Sequence, residues 1–262
     1  MQTMVAVSAT TPESQPEAKA LAHRLGLDYI ADPKNSLAKN YAYLLLCTPD
    51  FLGLQDTDDE KLKPFFIDFS AKKLLYRVKK AGLRNELLAK AIGIHPREKP
   101  FIVDATAGIG RDAFILASLG YELTLIEQSP IIHALLKNGI ERADKIQVIA
   151  GIIQHIQLIN DDSINWLHRH LEASAKKPDI VYIDPMFPER KKSSSVKKEM
   201  AILNKLLGSD ENPEKLLEAA IACAGKRVVV KRPRSAAKMI LKGRAPNYSL
   251  SGTANRFDIY LT

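Results

Sequence analysis

Val103-Asp104-Ala105-Thr106-Ala107-Gly108-Ile109-Gly110-Arg111-Asp112 is the stretch on which the fold is decided. Phe101–Ala105 reads as a buried strand, the small residues after it allow a tight turn, and Asp112–Leu119 reads as a helix that Gly120 closes. Downstream the same alternation repeats. Leu123–Ile126 is a strand, and Ser129-Pro130 supplies a cap and a first-turn proline for the next helix. Ile156–Ile159, Ile180–Ile183 and Arg227–Val230 are further strands, with helices at Ile164–Leu171, around Val196–Leu207 and at Pro213–Ala224. Repeated strand–helix alternation implies a parallel sheet covered on both faces. The tail breaks the rule: Tyr248–Leu250 and Phe257–Leu261 are joined by a turn too short for a parallel crossover, so the last strand is antiparallel.

Upstream of the glycine turn, Asn85–Ile92 has helical spacing and stops at Gly93. Tyr41–Cys47 and Phe51–Leu54 flank the turn Thr48-Pro49-Asp50, and Phe65–Phe69 is another strand candidate. The expected organisation is a small β-containing subdomain over residues 1–80 and a Rossmann-like α/β domain over 81–262.

Composition narrows the function classes. Of 262 residues, 46% are hydrophobic and 26% charged, enough apolar material for a sizeable core. The N-terminus has no basic start leading into an apolar run, and Tyr41–Cys47 is too short to span a bilayer, so a cytoplasmic protein without membrane contact is expected. Cys47 and Cys223 have no metal or disulfide spacing, and the six histidines form no ligand pattern, so no metal is expected. The net charge of +8 is concentrated: Glu189 to Arg244 holds fifteen Lys or Arg against six Asp or Glu, leaving the remainder about neutral. A localised basic excess suits an anionic partner, although a solvated helical face would look the same by composition.

The motifs add chemistry. Gly108-x-Gly110-x-x-Ala113 also satisfies the dinucleotide pattern, so a nicotinamide-dependent oxidoreductase is an alternative from another class. Against it, Asp104 stands before the turn, where a carboxylate repels a pyrophosphate but accepts hydrogen bonds from an ammonium-bearing ligand, and Asp112 at the helix start favours a cation over a phosphate. These features point to S-adenosylmethionine, which carries an amino group and a sulfonium but no phosphate. Glu127 at the end of the second strand suits a ribose. Asp162 and Ser163 either meet the adenine or simply cap a helix.

Asp184-Pro185-Met186-Phe187-Pro188 ends the fourth strand. An acidic side chain on a proline-stiffened turn can hold an NH2 group by its hydrogens, and Phe187 offers a face on which a base can stack. Basic residues follow at once, with Lys191, Lys192, Lys197 and Lys198, and recur as Lys231, Arg232 and Arg234. Two basic loops beside such a turn suit phosphate contacts around an extruded nucleotide. An N-methyltransferase acting on a protein amide or a small molecule is the nearer alternative.

With these residues in place, the chain resembles the RsmJ family of bacterial 16S rRNA (guanine-N2)-methyltransferases. The resemblance runs through VDATAGIGRDAFILASLG (103–120), LIEQSP (125–130), VYIDPMFPERKKSSSVKKEM (181–200), RVVVKRP (227–233) and NRFDIY (255–260). It implies a Rossmann-like SAM-dependent methyltransferase fold and methyl transfer to the 2-amino group of a guanosine in the small ribosomal subunit. It further implies cofactor contacts at Arg111 and Asp112, a ribose contact at Glu127 and Gln128, an adenine contact at Asp162 and Ser163, and a place for Asp184 between cofactor and target.

Overall fold

The computed structural model describes residues 5–59, 62–173, 176–185 and 212–262. Two sheets organise the chain. The first has the order β2-β1-β3-β4, built from β1 (Val5–Ala9), β2 (Tyr29–Ile30), β3 (Tyr43–Cys47) and β4 (Leu52–Asp56). β1 is parallel to β2 and β3, while β3 and β4 form the expected hairpin, with Leu45 opposite Leu54. Helix α1 (Gln15–Leu25) crosses from β1 to β2 and ends at Gly26, whose φ of 63° terminates it. The N-terminal part is therefore itself α/β. Phe65–Phe69 is not a strand: Phe65 makes one isolated bridge to Leu54, yet Phe65, Ile67 and Phe69 are buried in alternation. The period of two is real, but pairing with β4 stops at Phe65, and Ile67 and Phe69 instead pack against the helices that carry Gly139 and Phe114.

The second sheet has seven strands: β5 (Ile102–Asp104), β6 (Leu123–Glu127), β7 (Ile156–Asn160), β8 (Ile180–Ile183), β9 (Arg227–Pro233), β10 (Tyr248–Ser251) and β11 (Asn255–Leu261). Their order is β10-β11-β9-β8-β5-β6-β7, parallel from β7 to β9 and then antiparallel through β11 and β10. The chain steps from β5 outward to β6 and β7, then returns to place β8 on the other side of β5. This reversal opens a crevice at the carboxyl ends of β5 and β8.

The helices are α2 (Lys72–Lys80), α3 (Leu87–Ile92), α4 (Arg111–Ser118), α5 (Pro130–Asp144), α6 (Gln147–Ile153), α7 (Ser163–Glu172) and α8 (Pro213–Cys223). The helix expected around Val196–Leu207 lies outside the described residues. None of the described helices is long and apolar enough to cross a membrane. Capping follows the sequence signals: the Ser129 hydroxyl accepts from the Ile132 amide, and Gly93 closes α3 with φ 65°.

The two sheets share one apolar cluster, which joins Leu45 and Leu54 to Leu116, Leu125 and Leu136. Gly139 in α5 makes this junction possible, because a Cβ there would meet the Ile67 Cγ2 at 2.9 Å. Phe69 stacks on Phe114 of α4 at 4.8 Å between ring centroids, and the Leu52 amide donates to Asn138 Oδ1 at 3.0 Å. Strands β5 and β8 are buried along their whole length, so the crevice rests on the core of the large sheet.

Candidate functional site

Residues from four strand ends and one helix start converge at the crevice. Asp104 closes β5 with 3% of its surface exposed; its carboxylate accepts from the Thr106 amide at 3.0 Å and the Thr106 hydroxyl at 3.4 Å. Burial pushes its pKa up to about 7, against the Thr106 amide, which lowers it; the nearby Asp112 and Asp184 add to the rise. Thr106 Oγ1 also accepts from the Asp184 amide at 2.7 Å, so one hydroxyl ties the end of β8 to the glycine turn.

The two glycines of the turn have separate duties. Gly108 and Gly110 adopt φ 52° and 70°, a region that penalises side chains. A Cβ at Gly110 would strike Leu136 Cδ1 at 2.8 Å and Phe69 at 3.2 Å, so this glycine serves packing. At Gly108 the nearest atom would be the Thr106 carbonyl oxygen at 3.8 Å, leaving the backbone open to a ligand. Glu127 ends β6, 5% exposed, and accepts from the amides of Gly108 at 2.9 Å and Ser129 at 2.8 Å. The neighbouring Gln128 is exposed. An open glycine, a buried acid below it and a second acid beside it fit a ligand carrying an amino group and a ribose.

Asp112 sits in the first turn of α4. As the sequence suggested, it attracts cations, but they come from the protein: Lys231 Nζ at 2.6 Å and Arg77 at 3.3 Å, with the Tyr182 hydroxyl donating at 2.8 Å. Burial raises the Asp112 pKa, but the charge and hydrogen bond of Lys231, then Arg77 and Tyr182, bring it below the usual carboxylate range. The Lys231 ammonium also donates to Asp184 Oδ2 at 2.8 Å, bridging the two acids. Burial depresses its pKa, but Asp112 and Asp184 more than offset this and hold it above that of an ordinary lysine. The Asp184 side chain is 38% exposed and open to an incoming group, while Pro185 is buried behind it.

Asp162 caps α7 through Asn165, and Ser163 donates to the Ala105 carbonyl at 2.6 Å, beneath the glycine turn. Arg111 is exposed at the start of α4. β9 runs three residues beyond its expected end, so Lys231 and Arg232 are strand residues rather than a loop. Alternation sends Lys231 into the site, and sends Arg232 to a buried position where it donates to the Ala237 carbonyl at 2.9 Å. Of the three expected phosphate grips here, only Arg234 is exposed. Phe187, Lys191, Lys192, Lys197 and Lys198 lie outside the described residues. Among the described residues no group of three His, Cys, Asp or Glu is placed to hold a metal.

Sequence reasoning missed Thr106, Tyr182 and Arg77, and misjudged Lys231. Two had readable signals. Tyr182 lies in β8 two residues before Asp184, which directly follows the strand, so the alternation puts both on one face. Val230 pairs with Ile183, so the next residues, Lys231 and Asp184, are neighbours.

Comparison with known proteins agrees with this geometry. A family model described as "Putative SAM-dependent methyltransferase" matches residues 29–262. A ribosomal RNA small subunit methyltransferase J from Thioalkalivibrio sulfidiphilus is 40% identical over 260 residues, covering 99% of this chain and 98% of its own. One from Nitrosococcus oceani is 45% identical over 245 residues, covering 94% and 93%. The crystal structure of a SAM-dependent methyltransferase from Neisseria gonorrhoeae superposes with a TM-score of 0.74 at 31% identity, covering 98% of this chain and 95% of that one.

Proposed function

We propose, because this chain belongs to the SAM-dependent methyltransferase family and within it to the ribosomal RNA small subunit methyltransferase J group, that it methylates the exocyclic 2-amino group of a guanosine in 16S rRNA. Family membership removes the nicotinamide alternative. A ribosomal substrate also implies a cytoplasmic protein.

The observation that carries the reading is the junction of β5 and β8, where Thr106 ties the Asp184 turn to the glycine turn and Asp184 keeps its carboxylate partly open. Asp104, Gly108 and Glu127 would hold the cofactor, with Asp104 facing its amino group and Glu127 its ribose. The cofactor supplies an electrophilic methyl carbon on a sulfonium. Asp184 accepts an N–H of the target amine, fixes the direction of the nitrogen, and takes the proton that the nitrogen sheds when it is alkylated. Lys231 keeps the Asp184 carboxylate in one orientation. Base stacking on Phe187 and phosphate contacts from Lys191, Lys192, Lys197, Lys198 and Arg234 rest on the sequence alone.

The test is transfer of labelled methyl to small subunits lacking the modification, followed by nucleoside analysis. Label in N2-methylguanosine is expected; label in no nucleoside, despite S-adenosylhomocysteine binding, overturns the rRNA assignment. In the same assay Asp184→Ala should lower turnover by about 10²–10⁴-fold and leave S-adenosylhomocysteine affinity largely unchanged. Unchanged turnover would remove Asp184 from the mechanism.

A further inference from the structure

Helix α2 has the sequence KKLLYRVKK, with five cations and no acid in nine residues. Leu74, Leu75 and Val78 pack half-buried against the shared core, so the apolar face is already occupied. Lys72, Lys73, Tyr76, Lys79 and Lys80 are exposed on the outward side, with Tyr76 at 65% exposure. Among the described residues, none of these four lysines has a carboxylate partner within 4 Å. Lys80 lies over the Tyr76 ring at 5.8 Å, which presents cation and aromatic face side by side.

This pattern works against the helix that bears it. Lys72 and Lys73 stand at the positive end of the helix dipole, and Lys73 and Arg77 are like charges at i, i+4. A solvated face kept for solubility mixes signs and avoids these placements. The helix also has a fixed address. Arg77 donates to Glu86 at 3.0 Å and to Asp112 at 3.3 Å, in the acid cluster that Lys231 links to Asp184. The cationic face is thereby anchored to the rim of the site.

We propose that α2 is an RNA-docking helix: Lys72, Lys73, Lys79 and Lys80 contact the phosphodiester backbone beside the target nucleotide, and Tyr76 stacks on an unpaired base. The inference rests on the RNA reading above and extends it to an element outside the basic segment between residues 189 and 244. Charge complementarity selects a polyanion, and Leu74, Leu75 and Val78 are packed against the core rather than presented to a bilayer.

The test compares the wild-type chain with a K72A/K73A/K79A/K80A variant, both bound to small subunits lacking the modification over a range of salt. Each lost phosphate contact removes about 0.7–0.9 from the slope of log K against log salt. The variant should lose about 3 in slope and roughly 100-fold in affinity near 0.15 M salt, while S-adenosylhomocysteine affinity and thermal midpoint are kept. Tyr76→Ala should raise KM for subunits about tenfold, and Tyr76→Phe should restore it. An unchanged slope in a folded variant, with the wild-type chain active, overturns the role of α2 alone. A wild-type chain that neither binds nor methylates subunits overturns the RNA reading and this inference together. Loss of binding to phosphatidylglycerol vesicles with subunit binding retained would assign the helix to a membrane, and overturn the proposal.

Discussion

Asp104 is enclosed with two donors from one threonine, and its pKa rises to about 7 from an ordinary 3.8. The folded chain therefore holds a proton between pH 4 and 7 that the unfolded chain has released. By linkage, the stability this group contributes is full below about pH 4 and is lost as pH rises through 7. Asp104→Asn removes the titration without removing the packing. The variant's thermal midpoint relative to the wild-type chain should rise from pH 5 to pH 8; a pH-independent difference would show that Asp104 titrates normally. A bound cation favours the ionised carboxylate further. Binding of S-adenosylhomocysteine near pH 6.5 should therefore release a proton, measurable by calorimetry in two buffers. The positions of Asp104, Gly108 and Glu127 at the crevice were readable because each needs only its own strand end to be placed. Thr106 was not, because its hydroxyl matters through an amide 78 residues away.

Strand β9 shows how an element boundary changes chemistry. With the strand ended at Val230, Lys231 belongs to a basic loop; with three further residues paired to β11, it becomes an inward ammonium between two acids. The charge run KRPR hid the boundary, since cations in sequence read as solvent-facing, and only cross-strand pairing with Phe257, Arg256 and Asn255 extends it. Lys231→Met would remove the ammonium that bridges the two acids, leaving Asp112 with Arg77 and taking the Lys231 ion pair from Asp184. Breaking such a pair costs about 2 kcal/mol here, at the low end because Asp184 is 38% exposed, readable as a lower midpoint in denaturant. Asp184 would also turn away from its working orientation, so kcat should fall by about 10²-fold with KM for subunits little changed, and Lys231→Arg should recover part of it. A proportionate rise in KM with kcat intact would mean that Lys231 contacts RNA instead. Helix α2 was invisible for a related reason. Averaged with its acidic neighbours, the chain outside 189–244 is neutral, and a nine-residue basic face disappears in the sum.

At the scale of the molecule, the large sheet was legible because each strand–helix unit carries its own period and caps, and right-handed parallel crossovers leave few topologies. The small sheet was only half legible. Its hairpin is local in sequence, whereas β1 pairs with β3 across almost forty residues and carries no alternation, being buried throughout. The expected division at residue 80 makes 81–262 a domain, and a domain in the strict sense folds alone. The shared cluster argues otherwise: Phe69 stacks on Phe114, Ile67 lies against Gly139, and Asn138 is hydrogen-bonded to β4. Deleting residues 1–80 would expose the faces of α4 and α5 that carry the glycine turn, and would remove Arg77 from Asp112. The full chain should melt in one transition, and the 81–262 fragment should show no cooperative transition, bind a hydrophobic dye and fail to bind S-adenosylhomocysteine. A fragment that melts sharply and binds with full-length affinity would make the junction a true domain boundary. In that case the small sheet and α2 would be an appended module, and their loss would weaken subunit binding while leaving the cofactor site intact.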